Sequence, residues 1–168
     1  MKKFLSLLLL ALPLAFMTTS CSDDDNDLPN VDLSLTVSNC AQVDGVIYVV
    51  QGQTLQIDAI NIKNNEEGKG AAITHATYYW DYQPLGIAVA PPFAFNIVTT
   101  KPEGDVPGTA LGKHLLQIEM QIVAVDKEVA VGAMVYQVNV VESEDDIPDG
   151  VQPGTFTFDA KPTVKDKD

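Results

Sequence analysis

The chain has 168 residues, with 10 Lys, no Arg, 23 Asp plus Glu, 2 His and 2 Cys; its formal charge is −13, and 46% of it is apolar. That apolar fraction supplies a core for one domain of ordinary size and excludes full disorder. The lack of arginine excludes nucleic-acid binding, which draws on clustered Arg and Lys at phosphates.

Met1, Lys2 and Lys3 precede an apolar run from Phe4 to Phe16, interrupted by Ser6 and Pro13. A spanning helix needs about 20 apolar residues, so this run is too short for a permanent anchor. With Thr18, Thr19 and Ser20 following, residues 1–20 read as a cleaved secretory signal. Cys21 comes next. The arrangement resembles a bacterial lipoprotein precursor, whose lipobox sets small residues before a lipidated Cys; Thr18 stands where that family usually has Leu, Val or Ala. The resemblance implies cleavage before Cys21 and attachment of long acyl chains, such as palmitate, at that residue. One chain alone holds a protein only marginally, whereas several give a stable anchor. The alternative is an ordinary signal peptide followed by an incidental cysteine.

Removal of Lys2 and Lys3 with the leader leaves 8 Lys against 23 acids, a net −15. Residues 21–30 then form an acidic tether, led by Ser22-Asp23-Asp24-Asp25-Asn26-Asp27, which repels itself and extends. The run is also similar to the acidic export signal of some Gram-negative lipoproteins. That likeness implies an outer-membrane location facing the cell exterior, with the periplasmic face as the alternative. Both compartments are oxidising. With Cys21 acylated, Cys40 has no disulfide partner in the chain and reads as a small buried hydrophobe.

Residues 31–141 alternate apolar and polar side chains, the period of half-buried strands. Val31, Leu33, Leu35 and Val37 share a face, and residues 46–50 follow the Asp44-Gly45 turn signal. Leu55, Ile57 and Ala59 share a face before the pattern slips to Ile60 and Ile62, which predicts a bulge or strand switch near Ala59. A polar loop spans 64–70. Ala76, Tyr78 and Trp80 mark a strand over about 73–82, and Phe93, Phe95 and Ile97 mark another. Residues 101–112 hold two Pro and three Gly and form a long loop. Leu116 to Ala124 and Met134 to Val140 are two long strands, joined at Asp126-Lys127-Glu128. About seven strands without helical crossovers predict an all-β antiparallel sandwich. Residues 142–168 return to acid, Pro and Gly and read as a flexible tail. Within it, Thr155-Phe156-Thr157-Phe158 alternates like a strand that either pairs with a sheet edge, in cis or on a neighbour, or docks loosely.

One stretch is more specific. Tyr78-Tyr79-Trp80-Asp81-Tyr82-Gln83-Pro84-Leu85-Gly86, then Pro92-Phe93-Ala94-Phe95, then Gly112-Lys113-His114-Leu115-Leu116 resemble bacterial immunoglobulin-like domains of surface and carbohydrate-associated proteins. The likeness covers about residues 72–126 and implies an Ig-like β-sandwich outside the cytoplasm. Tyr82 occupies the position of a family glycine, which implies a turn reshaped or lengthened at Pro84. In the resembling domains the counterpart of His114 is a packing and hydrogen-bonding residue.

Catalysis requires a nucleophile with a base, a paired carboxylate site or a metal. His75 and His114 are the only imidazoles, neither sits in a nucleophile motif, and their spacing matches no zinc site. Calcium suits the many oxygen donors, but neither acidic run has the spacing of a preformed loop. The expectation is a non-catalytic protein without cofactor or metal, lipid-anchored at the cell surface, acting in adhesion or protein interaction. The alternative is an accessory glycan-binding lipoprotein of a polysaccharide-uptake system. Tyr79, outward by alternation, and Tyr82 are the candidate contacts, while Tyr78 and Trp80 point inward. Expected partners are the outer membrane and a surface protein or glycan.

Overall fold

Alternating side chains place the chain in ten strands: β1 (Val31–Val43), β2 (Val46–Val50), β3 (Thr54–Asn64), β4 (Ala71–Trp80), β5 (Gln83–Ala88), β6 (Phe95–Val98), β7 (Gly112–Ala124), β8 (Ala130–Val141), β9 (Gly154–Ala160) and β10 (Thr163–Asp166). The computed structural model describes residues 28–160 and 162–166; the leader, Cys21 and the acidic run to Asp27 lie outside the described residues. Among the described residues the helical elements are two single 3-10 turns, Glu144–Asp146 and Pro148–Gly150.

Two sheets face each other. Sheet I is ordered β9–β1–β3–β6, all antiparallel. Sheet II is ordered β5–β4–β7–β8, also antiparallel. The outer side of β8 is shared. Its N-terminal half pairs β10 antiparallel, and its C-terminal half pairs β2 in parallel. β1 serves both sheets: Val31 to Ser38 pair β3, and Ala41 to Val43 pair β2. Asn39 makes the corner with φ 56°, a left-handed conformation that asparagine tolerates better than most residues. This two-sheet arrangement is an immunoglobulin-like sandwich.

The core forms where the inner faces meet. Leu35, Val37, Leu55 and Ile57 of sheet I oppose Tyr78, Leu116, Ile118, Met120 and Ile122 of sheet II, and all are buried. Each such side chain contributes about 1.5–3 kcal/mol on leaving water. Tyr78 joins the layers: its ring stacks on Phe95 at 4.4 Å between centroids and 13° between planes. Its hydroxyl donates a hydrogen bond to the Phe93 carbonyl. The predicted slip in β3 is present, since Thr36 faces Ala59 and Val37 faces Ile57, leaving Asp58 as the extra residue. Cys40 is a buried free thiol.

Three features differ from the sequence-based expectation. The described residues form ten strands, not about seven, because β5, β9 and β10 are added. The 142–168 segment is not a free acidic tail through its described residues. β9 adds seven pairs to β1, β10 adds four to β8, and Phe156, Phe158 and Ala160 pack on the core. The β4–β5 turn is not lengthened, and the reshaping at Pro84 is a one-residue bulge: Tyr79 faces Pro84 and Tyr78 faces Gly86, leaving Leu85 as the extra residue. Trp80 pairs with Gln83, so Asp81 (φ 48°) and Tyr82 (φ 66°) are its two central residues. Positive φ at both positions is the geometry that suits the twist of a two-residue hairpin, and Tyr82 adopts it in place of a glycine.

Candidate functional site

The two sides of the sandwich are finished differently. On one side β1 passes from sheet to sheet, and β9 and β10 are the outermost strands. Their outward residues are polar or charged: Thr155, Thr157 and Asp159 on β9, Lys165 on β10. Such residues discourage further strand pairing. On the other side the edges are β5 and β6. The sequence carries no charge between Asp81 and Lys101, so neither edge bears a charged side chain.

That side is apolar and exposed. Ile87 is 60% exposed, Val89 75%, Val98 65% and Leu85 43%. The two edges approach closely because Gly86 has no side chain: a Cβ there would lie 2.8 Å from the Phe95 ring. A shallow cleft runs between them, lined by Trp80, Leu85, Ile97, Val98, Thr99, Thr109, Ala110 and His114. Ile97 and Thr99 are buried there, while Leu85, Val98 and Ala110 are exposed. Contiguous exposed apolar surface bordered by polar groups is the usual mark of a contact surface.

His114 closes one end of this cleft. Its ring stacks on Trp80, 4.8 Å between centroids. Nδ1 lies 2.6 Å from Asp81 Oδ2 and Nε2 lies 2.8 Å from the Ala110 carbonyl. The other carboxylate oxygen of Asp81 accepts from the Leu115 N–H at 2.8 Å, while the Asp81 N–H donates to the Leu115 carbonyl at 2.9 Å. Burial works against ionisation of Asp81, but the bonds from His114 and Leu115 prevail and hold its carboxyl below the ordinary value. In this chain His114 packs and hydrogen-bonds, and among the described residues no nucleophile is paired with it. His75 lies 3.1 Å from the Thr74 hydroxyl, which donates to Gln121. Among the described residues no group of three or more His, Cys, Asp or Glu is placed to hold a metal ion.

Tyr79 faces outward from sheet II, as alternation requires. Its hydroxyl donates to Glu119 Oε2 at 3.3 Å, and Gln117 Nε2 donates to Glu119 Oε1 at 2.7 Å. Burial, then the Glu119 carboxylate, raises the Tyr79 hydroxyl above its ordinary pKa. Tyr82 is 74% exposed at the hairpin tip. The two tyrosines therefore share one hairpin end, but Tyr79 is engaged across the sheet by Glu119. Reasoning from sequence missed Gln117 and Glu119, which are outward on β7, and the β5–β6 edges. The uncharged run from Tyr82 to Thr100 is the signal that marks those edges.

No protein-family model matches the chain, and the curated proteins give no match. Among solved structures the chain is similar to fibronectin(III)-like modules of CbhA from Clostridium thermocellum. The identity is 11% and the TM-score 0.34, over 60% of this chain and 92% of that one.

Proposed function

We propose that this protein is a non-catalytic binding module, held at the outer membrane by lipid on Cys21 and displayed outward on its acidic tether. It takes a protein partner along β5 and β6. The observation that carries this reading is the uncharged, exposed row of Leu85 and Ile87 on the edge strand β5, continued by Val89 just after it, in a chain that places polar or charged residues on β9 and β10. An edge of this kind offers main-chain groups for pairing and side chains for contact. In the test, intact cells display either the wild-type chain or Ile87→Glu, and cell–cell or cell–matrix adhesion is counted. Loss of adhesion with unchanged thermal unfolding supports the reading; unchanged adhesion refutes it. Mass spectrometry of the N-terminal peptide examines the anchor, and an unmodified Cys21 removes it.

A second reading rests on the Tyr79, Gln117 and Glu119 row. An aromatic face beside a carboxylate and a carboxamide provides both stacking and hydrogen-bonding groups for a sugar ring. In that case the protein is an accessory in glycan capture. Tyr79→Ala or Tyr82→Ala then abolishes polysaccharide retention while Ile87→Glu leaves it intact.

A further inference from the structure

We propose that His114, protonated at both ring nitrogens, straps the segment Ala110–Gly112 to the β4–β5 turn, and that loss of one proton releases this segment and widens the cleft beside Trp80. The two partners of the ring are both pure acceptors in this geometry: the Asp81 carboxylate at 2.6 Å and the Ala110 carbonyl at 2.8 Å. A neutral imidazole has one N–H, so it satisfies one of them and turns a lone pair toward the other. The charged partner keeps the remaining proton, because hydrogen bonds to ionised groups are the stronger ones. The Ala110 contact is therefore the one that opens.

The surroundings fit a cation at this position. Trp80 lies face to face with the ring, an arrangement that favours positive charge, and the His114 side chain is only 9% exposed. From β4 and its turn the facing charged group is Asp81, whose carboxyl is held ionised below its ordinary range. β8 presents Val138 opposite His114. The charged residues of the loop, Lys101, Glu103 and Asp105, and the neighbouring Lys113 are exposed.

What moves is limited by the anchors on either side. The Thr109 N–H donates to the Thr100 carbonyl at 2.8 Å, and the Thr109 carbonyl accepts from Gln51 Nε2 at 2.5 Å. Those bonds do not involve the imidazole and stay. On the other side Gly112 sits at φ 105°, a conformation reserved for glycine, and it supplies a hinge. Ala110 and Leu111 swing between these points. Ala110 lines the cleft and Leu111 is an exposed apolar residue, so pH reshapes one wall of the surface assigned above to partner binding.

The test is a titration of the 13C,15N-labelled full chain by NMR, from about pH 5 to about pH 9. The expected result is a ring with both nitrogens protonated at the acid end. As it loses a proton, the Ala110 carbonyl carbon shifts at the same midpoint, because its hydrogen bond from Nε2 is lost. An Ala110 carbonyl that stays constant while the ring titrates overturns the proposal. So does a ring that carries a bare nitrogen toward Ala110 throughout. The wild-type titration decides by itself should a His114→Gln chain fail to fold.

Discussion

Replacing Phe158 by Ala asks whether the C-terminal strands hold the sandwich together or merely lie on it. Phe158 is half-buried on β9 in sheet I, and its ring meets Tyr136 of β8 in sheet II at 5.3 Å and 56°. It therefore fastens the layers on the side where β1 changes sheets. A fully buried Phe→Ala change costs about 3–5 kcal/mol, and half burial brings the packing loss to about 2 kcal/mol. The lost aromatic pair adds about 0.5–1.5 kcal/mol, giving roughly 2.5–3.5 kcal/mol. With a urea m-value of about 2 kcal/mol/M for a domain of this size, the midpoint falls by roughly 1.2–1.8 M. Deleting everything after Pro153 removes all eleven β9 and β10 pairs and exposes the flank of Leu33, Leu35 and Val37. That loss is comparable to the whole stability of a typical domain, about 5–15 kcal/mol, so the shortened chain loses cooperative unfolding. Equilibrium urea titrations followed by Tyr and Trp fluorescence measure both. A Phe158→Ala midpoint within about 0.3 M of wild type, or a shortened chain with an unchanged transition, refutes the reasoning.

Tyr82→Gly relieves a left-handed residue whose strain is about 1–2 kcal/mol, offset by about 0.5–1 kcal/mol of added unfolded-state freedom. The expected net stabilisation is about 0.5 kcal/mol, read as a slightly higher Tm, and a clear drop in Tm means that the ring packs. Cys40 is expected to resist alkylation at about pH 8 in the folded protein and to react in denaturant. Its thiol is pushed up to about 12 by burial first and by Asp58 second. The folded value lies above the unfolded one, near 8.5. Stability from the buried neutral thiol is therefore complete below about pH 8.5 and falls as pH rises, by up to about 1.4 kcal/mol per unit. Cys40→Ala removes the part of that slope between about pH 8.5 and about pH 10, below the range where the Tyr78 and Tyr136 hydroxyls, raised by burial, add their own; an unchanged slope in that window contradicts the assignment.

How far the sequence discloses this molecule differs from strand to strand. β1, β7 and β8 are readable because each has one face in the core, and the slip in β3 is readable because a bulge reverses parity. β5 escapes notice because Pro84 and Gly86 break its alternation, and Gly86 is small only because the Phe95 ring fills its place. The strand character of Thr155 to Phe158 is plain, but its neighbour is not. Period-two patterning specifies which face is apolar and leaves the partner strand open. Tyr79 is found on the correct face, whereas Gln117 and Glu119 become its neighbours only through the β4–β7 register. His114 is read as a packing residue, but its double engagement depends on Ala110, at the end of a loop whose path no periodicity describes.

The function proposed above puts a partner at the β5 edge. The most direct measurement places a photoreactive side chain at Ile87, or at Thr157 on the exposed face of β9, in cells displaying the full chain. The account predicts a discrete adduct from position 87, suppressed by a second change Val89→Glu, and none from position 157. Equal adducts from both positions, or an adduct from 157 alone, contradict it.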